Sequence, residues 1–547
     1  MVSETPSHEE SQSLRALLER SAFEAEVGGM SLVEEAATSK PRAYVRVTWR
    51  MRFIFSLVAV LAACLVISLR WEKRASGLGV PSPALAGDLT QAHQDPATVI
   101  RLYGLTGVNL GGWLCLEDWF FSGNKGKYVA SMHAEGQGYS FPPLVTSVSK
   151  PWTSEGLLTR QLADEHGAAF VLRAFADYRA SFISAQDLRE IKSLGLNTVR
   201  LPITWAAFAD VLSPLDPAYR GYDADLDIAL VPDPFYKDEA AFVTISRKEL
   251  SLFFHQAQQH GLRVLLDLHA FPGGASHGTY NGVWPLKCAF WTEYSRVGLA
   301  NTTRLRDIGL WIVKAMVTWI EGLDVETRGV LAGVTFMNEP GHMNRWKNFA
   351  PEKAILDWLE EASRIYFSSS LPLLGIQLYM NLVETAFQDF DGMVVPWFRN
   401  LFSLEERQTV VVADVHYYLA WDKYHCDGRW DGQAAFNCQL PKSQGVVASC
   451  AAGNARNMKQ RWRSVAELVA VSEFSMGTAD QPDFACKDPQ LLTMVLKQQL
   501  ASFGGHGFQT MFWTWKLPHA PDFEPGWSLQ WLVRQANATT AAALQRA

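Results

Sequence analysis

Glu339 and Glu473 are the residues from which a reaction is most readily built. Each closes a short apolar run, so each carboxylate is expected where a buried strand meets solvent. One carboxylic acid can protonate a departing oxygen while a second carboxylate attacks the acetal carbon or activates water, the division of labour in glycoside hydrolysis. Distinct neighbours let such a pair hold different protonation states near neutral pH. Pro340 fixes the turn after Glu339, and Asn338 beside it can bond a sugar hydroxyl. Arg200 can hold a carboxylate in its charged form, and Tyr418 can hydrogen-bond the same group. Taken singly these residues read more blandly. A strand-end glutamate is more often structural, His269 a satisfied core histidine, and Arg200 the partner of a structural carboxylate. The weight lies in the set.

The set needs elements to hold it. Short apolar runs rich in branched residues predict strands at 104–110, 198–203, 263–269, 333–337, 373–380, 409–416, 468–473 and 508–515. Helical patterns lie between most of them, for example over 185–194 and 248–259. Eight strands alternating with helices predict an α/β fold, a (β/α)8 barrel with long mouth loops at 123–159 and 213–235. Polar residues gather at the C-terminal ends of those strands: Arg200, His269, Asn338 with Glu339, His416 with Tyr418, Glu473, and Trp513 with Trp515. A barrel builds its active site on that face, so the scattered residues become one constellation.

The motifs carry a resemblance. GVNLGGWL at 107–114, VRLP at 199–202, DLHAFPG at 267–273, MNEP at 337–340, VHYY at 415–418, VSEFS at 471–475 and FWTWK at 512–516 follow one another along the chain. In that order they resemble glycoside hydrolase family 5 of clan A, and within it the eukaryotic exo-β-1,3-glucanases, over roughly residues 100–530. The resemblance implies a retaining mechanism without metal or cofactor. Glu339 then matches the general acid/base and Glu473 the nucleophile. Arg200, His269, Asn338, His416 and Tyr418 match residues around the reacting sugar, and Trp515, or Trp513 two residues earlier, matches the platform beneath it. Glu117 matches the residue that grips the terminal glucose, and Tyr280 and Trp421 match aromatics across the entrance. Two departures stand out: Ala270 and Ser472 occupy positions where glycine is usual. The implied activity is release of glucose from β-1,3-glucan. Relatives acting as β-1,6-glucanase, cellulase, mannanase, glycosylceramide hydrolase or transglycosylase, and a glucan-binding wall protein on an inactive barrel, are the alternatives.

Composition agrees with a large buried core. Of 547 residues, 48% are hydrophobic and 19% charged, which excludes a mainly disordered chain. The net charge of −7 argues against a general nucleic-acid binder. The chain is expected to act as a monomer. Twenty Trp residues fit a large core, a membrane interface or sugar-stacking platforms.

The N-terminal part reads differently. Residues 1–51 predict a disordered cytosolic tail, 52–71 a signal anchor, 72–98 a stalk, and 99–547 the barrel. The uncharged run from Phe53 to Leu69 is at the short end of the about 17–25 residues that span a bilayer. Lys40, Arg42, Arg46, Arg50 and Arg52 precede it more densely than the basic residues that follow. This predicts a single-pass type II protein with its catalytic part lumenal or extracellular. A cleaved signal and a buried core helix are the rival readings. Asn301 and Asn537 head glycosylation sequons. The Cys spacings form no zinc pattern, and His277, His425 and His519 suggest no metal cluster. Pairs Cys426–Cys438 and Cys450–Cys486 are one arrangement among several.

Overall fold

The computed structural model describes residues 95–125, 135–298, 302–344, 348–383, 386–420, 466–477 and 486–536. The tail, the apolar run, most of the stalk, Asn301, Asn537, Trp421 and Cys64, Cys426, Cys438 and Cys450 lie outside these residues. Among the described residues no helix is long and apolar enough to cross a membrane.

Ten strands occur in the described chain: β1 (Gly107–Asn109), β2 (Thr198–Thr204), β3 (Leu230–Pro232), β4 (Ala241–Val243), β5 (Arg263–Ala270), β6 (Leu331–Thr335), β7 (Gln377–Asn381), β8 (Val411–Tyr418), β9 (Val469–Ser475) and β10 (Gln509–Phe512). Eight of them close a parallel barrel in the order β1-β10-β9-β8-β7-β6-β5-β2, and β3 and β4 pair outside it. The expected (β/α)8 architecture is therefore present.

Strand alternation sorts the side chains. On β5, Val264, Leu266 and Leu268 face the helices, while Leu265 turns into the barrel. Leu265, Tyr379, Val412, Ala470 and Met511 form the apolar plug of the barrel interior. Gly333 makes room for it: a Cβ there would stand 2.6 Å from the Tyr379 ring and from the Gln377 carbonyl. Further along the same inward rows come Asp267, Asp414 and Arg200, all fully buried. The barrel thus changes from apolar to ionic toward its C-terminal mouth.

The surrounding helices follow from capping and period. Ser246 accepts from the Glu249 N–H and starts helix Arg247–Gln259. That helix buries Leu250, Phe253, Phe254 and Ala257, the spacing of one helical face. Helix Ala185–Ser193 opens on a capping box of Ser184 and Asp187.

Several predicted boundaries move. The run from 373 does not begin a strand, because Leu373 is 92% exposed in a turn and β7 starts at Gln377. Gly104, at φ 70°, ends a helix Pro96–Tyr103 that begins inside the predicted stalk, which delays β1. β10 stops at Phe512, three residues before the predicted end. Within the predicted loop 123–159, helix Glu155–His166 already starts, and 213–235 contains β3. Cys115 and Cys288 are buried free thiols, and Cys486 is in a disulfide whose partner lies outside the described residues.

Candidate active site

β9 carries a bulge that the sequence does not announce. Val415 pairs with Val471 and His416 with Glu473, while on the other side Thr510 pairs with Val471 and Phe512 with Phe474. An extra residue therefore sits at Ser472–Glu473. Alternation alone would send these two side chains to opposite faces; a bulge re-aims one of them. Both Ser472 and Glu473 contact His416. β5 has a matching irregularity at His269, where Ile203 pairs with Leu268 and Thr204 with Ala270.

Arg200 is the hub. Its Nη1 donates to Glu473 Oε1 and to Asn109 Oδ1 at 2.9 Å. Its Nη2 donates to Asn338 Oδ1 at 2.8 Å and lies 3.0 Å from Asp267 Oδ2. Burial opposes its charge, but Asp267, Glu473 and Asp414 outweigh burial and keep it firmly protonated. Tyr418 donates to the second oxygen of Glu473 at 2.6 Å. Both oxygens of Glu473 thus accept a hydrogen bond from a fixed donor.

Glu339 follows β6 with an unusual backbone, φ 41°, a conformation worth about 1–3 kcal/mol of strain for a residue with a side chain. Its N–H donates to Asn381 Oδ1 at 2.9 Å, and its carbonyl accepts from the Ser276 hydroxyl. These bonds hold the strained turn and aim the carboxylate at His416, whose Nδ1 is 2.7 Å from Glu339 Oε1. Burial would raise the Glu339 pKa, yet the charges of His342 and His416 and the His416 hydrogen bond draw it well below the carboxylate range. His416 is raised in turn: burial opposes it, and Glu473, Glu339 and Asp414 overcome burial. Both shifts favour Glu339 as a carboxylate beside a protonated His416 ring.

His269 Nδ1 is 2.6 Å from Asp267 Oδ2. Its ring stacks on Trp513 at 5.7 Å between centroids and 5° between planes, and meets Tyr280 edge-on. The Tyr280 hydroxyl faces the Glu339 carboxyl. Tyr280 therefore stands beside both Glu339 and His269. Trp515 is turned away from the mouth. It is buried, and its indole N–H donates to Asp187 Oδ1 at 2.9 Å in the first turn of helix Ala185–Ser193. The two Trp do not share a strand face because β10 has already ended at Phe512. The platform beside His269 is Trp513. Glu117 is buried with Oε2 accepting from Trp119 Nε1 and Thr279 Oγ1, both at 2.9 Å. Burial, helped by the charge of Glu473, pushes its pKa up to about 7.

Sequence reasoning missed Asn109, Asp267, Asn381, Asp414 and Ser472 as members of the site. Asp267 and Asp414 each precede a recognised histidine by two residues, so strand alternation already put them on the same inward row. Glu339, His416 and Glu473 also present ligand atoms within 4.8 Å of one another, a cluster that could receive a cation. Each of those groups is engaged by Arg200, Tyr418, Ser472 or one another, so a cation would have to displace those bonds.

No family model matches the chain. It is similar to a protein named probable glucan 1,3-beta-glucosidase A from Aspergillus fumigatus, 22% identical over 507 residues, covering 88% of this chain and 95% of that one. It is also similar to glucan 1,3-beta-glucosidase 1 of Schizosaccharomyces pombe, 25% identical over 346 residues, covering 62% of this chain and 64% of that one. Among solved structures, a rutinosidase from Aspergillus niger aligns with a TM-score of 0.47 at 13% identity, covering 81% of this chain and 99% of that one. A likeness of that size adds nothing to the barrel already described. Seven ordered motifs that resemble glycoside hydrolase family 5 thus lie on a closed parallel barrel, in a chain similar along most of its length to a fungal protein named as a glucan 1,3-beta-glucosidase.

Proposed function

We propose that the chain is a retaining β-glucosidase that removes glucose from the non-reducing end of β-1,3-glucan. The observation that carries the reading is the pair of carboxylates. One oxygen of Glu339 and one of Glu473 lie within 4.8 Å of each other, in contrasting surroundings. Retaining enzymes hold their carboxyl groups about 5–5.5 Å apart, whereas inverting ones leave about 6.5–9.5 Å for a water.

In this reading Glu473, held by Arg200 and Tyr418, attacks the anomeric carbon. The glycosidic bond breaks, and Glu339 protonates the departing oxygen. Glu339 then takes a proton from water as the hydroxide displaces Glu473. Trp513 lies beneath the reacting sugar, Asn338 and His269 bond its hydroxyls, and Glu117 receives those of the terminal glucose. The names of the curated relatives favour β-1,3-glucan as substrate.

The reading extends to the N-terminal part. The run from Phe53 to Leu69 with its basic flank favours a single membrane anchor, with residues 1–51 cytosolic and the barrel beyond a short stalk on the lumenal or outer side. Product analysis tests the activity directly. The protein is incubated with laminarin, pustulan and cello-oligosaccharides. Glucose as the sole early product from laminarin is expected; longer oligosaccharides, or preference for another linkage, would contradict the reading.

A further inference from the structure

The acid/base carboxylate sits in a closed circuit of hydrogen bonds that reaches back to its own backbone. Glu339 Oε1 meets His416 Nδ1 at 2.7 Å, and His416 Nε2 meets Ser472 Oγ at 3.1 Å. Ser472 Oγ meets Asp414 Oδ2 at 2.7 Å, and Asn381 Nδ2 donates to the same oxygen at 3.1 Å. Asn381 Oδ1 accepts from the Glu339 N–H at 2.9 Å. The proton positions around this circuit can be worked out one at a time.

The Glu339 N–H fixes the amide of Asn381 with its NH2 toward Asp414. Asp414 therefore receives Asn381 Nδ2–H, the Ser472 N–H at 3.0 Å, and the Ser472 hydroxyl. Two of these partners, the Asn381 and Ser472 N–H groups, can only donate, one to each oxygen, which favours Asp414 as a carboxylate. Burial pushes its pKa up, opposed by the charges of His416 and Arg200 and by the bonds from Ser472 and Asn381. A serine hydroxyl has a single hydrogen, and here it goes to Asp414. Toward His416 the oxygen can only accept, so Nε2 must carry a hydrogen.

We propose that Ser472 is a positioning residue: by accepting from Nε2 it fixes the His416 tautomer and keeps a transferable proton on the Glu339–His416 pair. The inference rests on the reading of Glu339 as acid/base. With Nε2–H fixed, a neutral ring presents a lone pair from Nδ1, which fits Glu339 only as a carboxylic acid. A protonated ring fits Glu339 as a carboxylate. Both states hold the proton that the leaving oxygen needs. Without the Ser472 acceptor, a neutral ring with its only hydrogen on Nδ1 would satisfy ionised Glu339, and the pair would be one proton short.

Other charged groups act on the same ring. Glu473 Oε2 lies 3.4 Å from Nδ1 and Asp414 Oδ2 lies 3.9 Å from Nε2, and both favour the protonated ring. Arg200 offsets Glu473, His342 acts on Glu339, and the Tyr280 and Tyr418 hydroxyls face the two carboxylates. In the first step the bond from the anomeric carbon to the leaving oxygen breaks, that from the carbon to Glu473 forms, and the proton leaves the pair through Glu339. In the second, water gives its proton to Glu339 and its hydroxide to the carbon, and the pair is restored.

The test separates proton delivery from nucleophilic attack. kcat/KM is measured for unsubstituted protein, Ser472→Ala and Ser472→Thr on laminaritriose, whose leaving group needs a proton, and on 2,4-dinitrophenyl β-glucoside, whose leaving group does not. Ser472→Ala is expected to lose about 100-fold on the trisaccharide, within the about 10²–10⁴-fold range of general acid catalysis. It should lose little on the aryl glucoside, and its alkaline limb on the trisaccharide should move to lower pH. Ser472→Thr should restore most of the loss. Equal losses on both substrates, or none, would overturn the proposal. Should Ser472→Ala not fold, nitrogen NMR of histidine-labelled unsubstituted protein decides. A hydrogen on His416 Nε2 across neutral pH supports the proposal, and one on Nδ1 alone overturns it. Failure of the unsubstituted protein on both glucosides would instead sink the glucosidase reading.

Discussion

At the residue scale the site holds an excess of buried carboxylates. Glu117, Asp267, Glu339, Asp414 and Glu473 are all nearly or wholly buried, and one guanidinium, Arg200, pairs directly with two of them. The remaining carboxylates favour bound protons: they raise His416, and burial raises Glu117. A carboxyl whose folded pKa is about 7 rather than 4.5 binds more protons folded than unfolded between those values. Glu117 therefore takes stability away as pH rises through that window, and above it the loss is constant. Glu117→Gln removes this term. The variant should melt close to the unsubstituted protein at pH 4 and higher at pH 8, by thermal unfolding. At pH 8, where Glu117 is ionised, it should also raise KM for laminari-oligosaccharides by about 10–100-fold, the worth of a hydrogen bond to a charged group. A lower melting temperature at pH 8, with KM unchanged, would contradict this account of the residue.

At the element scale the barrel strands do two things at once. Their outer residues pack on the helices, and their inner rows run from an apolar plug to the ionic mouth. Gly333 shows how closely the plug is filled. Gly333→Ala should lower stability by about 1–3 kcal/mol, as overpacked core positions do. The denaturant midpoint reads this, and kcat should be nearly unchanged. An unchanged midpoint would mean that the interior has slack.

Much at this scale was legible in the sequence. Strand period and order led to the barrel, and the strand-end rule led to Glu339, Glu473, Arg200, His269 and His416. What was not legible has a common physical origin, where the chain departs from regular period. The β9 bulge makes Ser472 and Glu473 neighbours of one histidine, which a period of two forbids. The end of β10 at Phe512 separates Trp513 from Trp515, which the same period would join. Leu373 and Leu374 read as strand because apolar residues on an exposed turn look the same in sequence as apolar residues in a core.

At the scale of the whole molecule the net charge of −7 says little, because it averages parts of unlike character. The barrel carries the chemistry, and the basic residues before Phe53 bear on where it acts. If the anchor reading holds, the full chain should stay in the membrane pellet after alkaline carbonate extraction. A chain starting near residue 95 should be released. Release of the full chain would contradict the anchor.

If Glu473 is the nucleophile, it forms a covalent bond to the sugar that can be trapped with 2-deoxy-2-fluoro-β-glucosyl fluoride and located by mass spectrometry. One fluoroglucosyl group per chain is expected, carried on the peptide containing Glu473 and absent from Glu473→Gln. A label on another residue, or turnover of laminarin with inversion at the anomeric carbon, would contradict it.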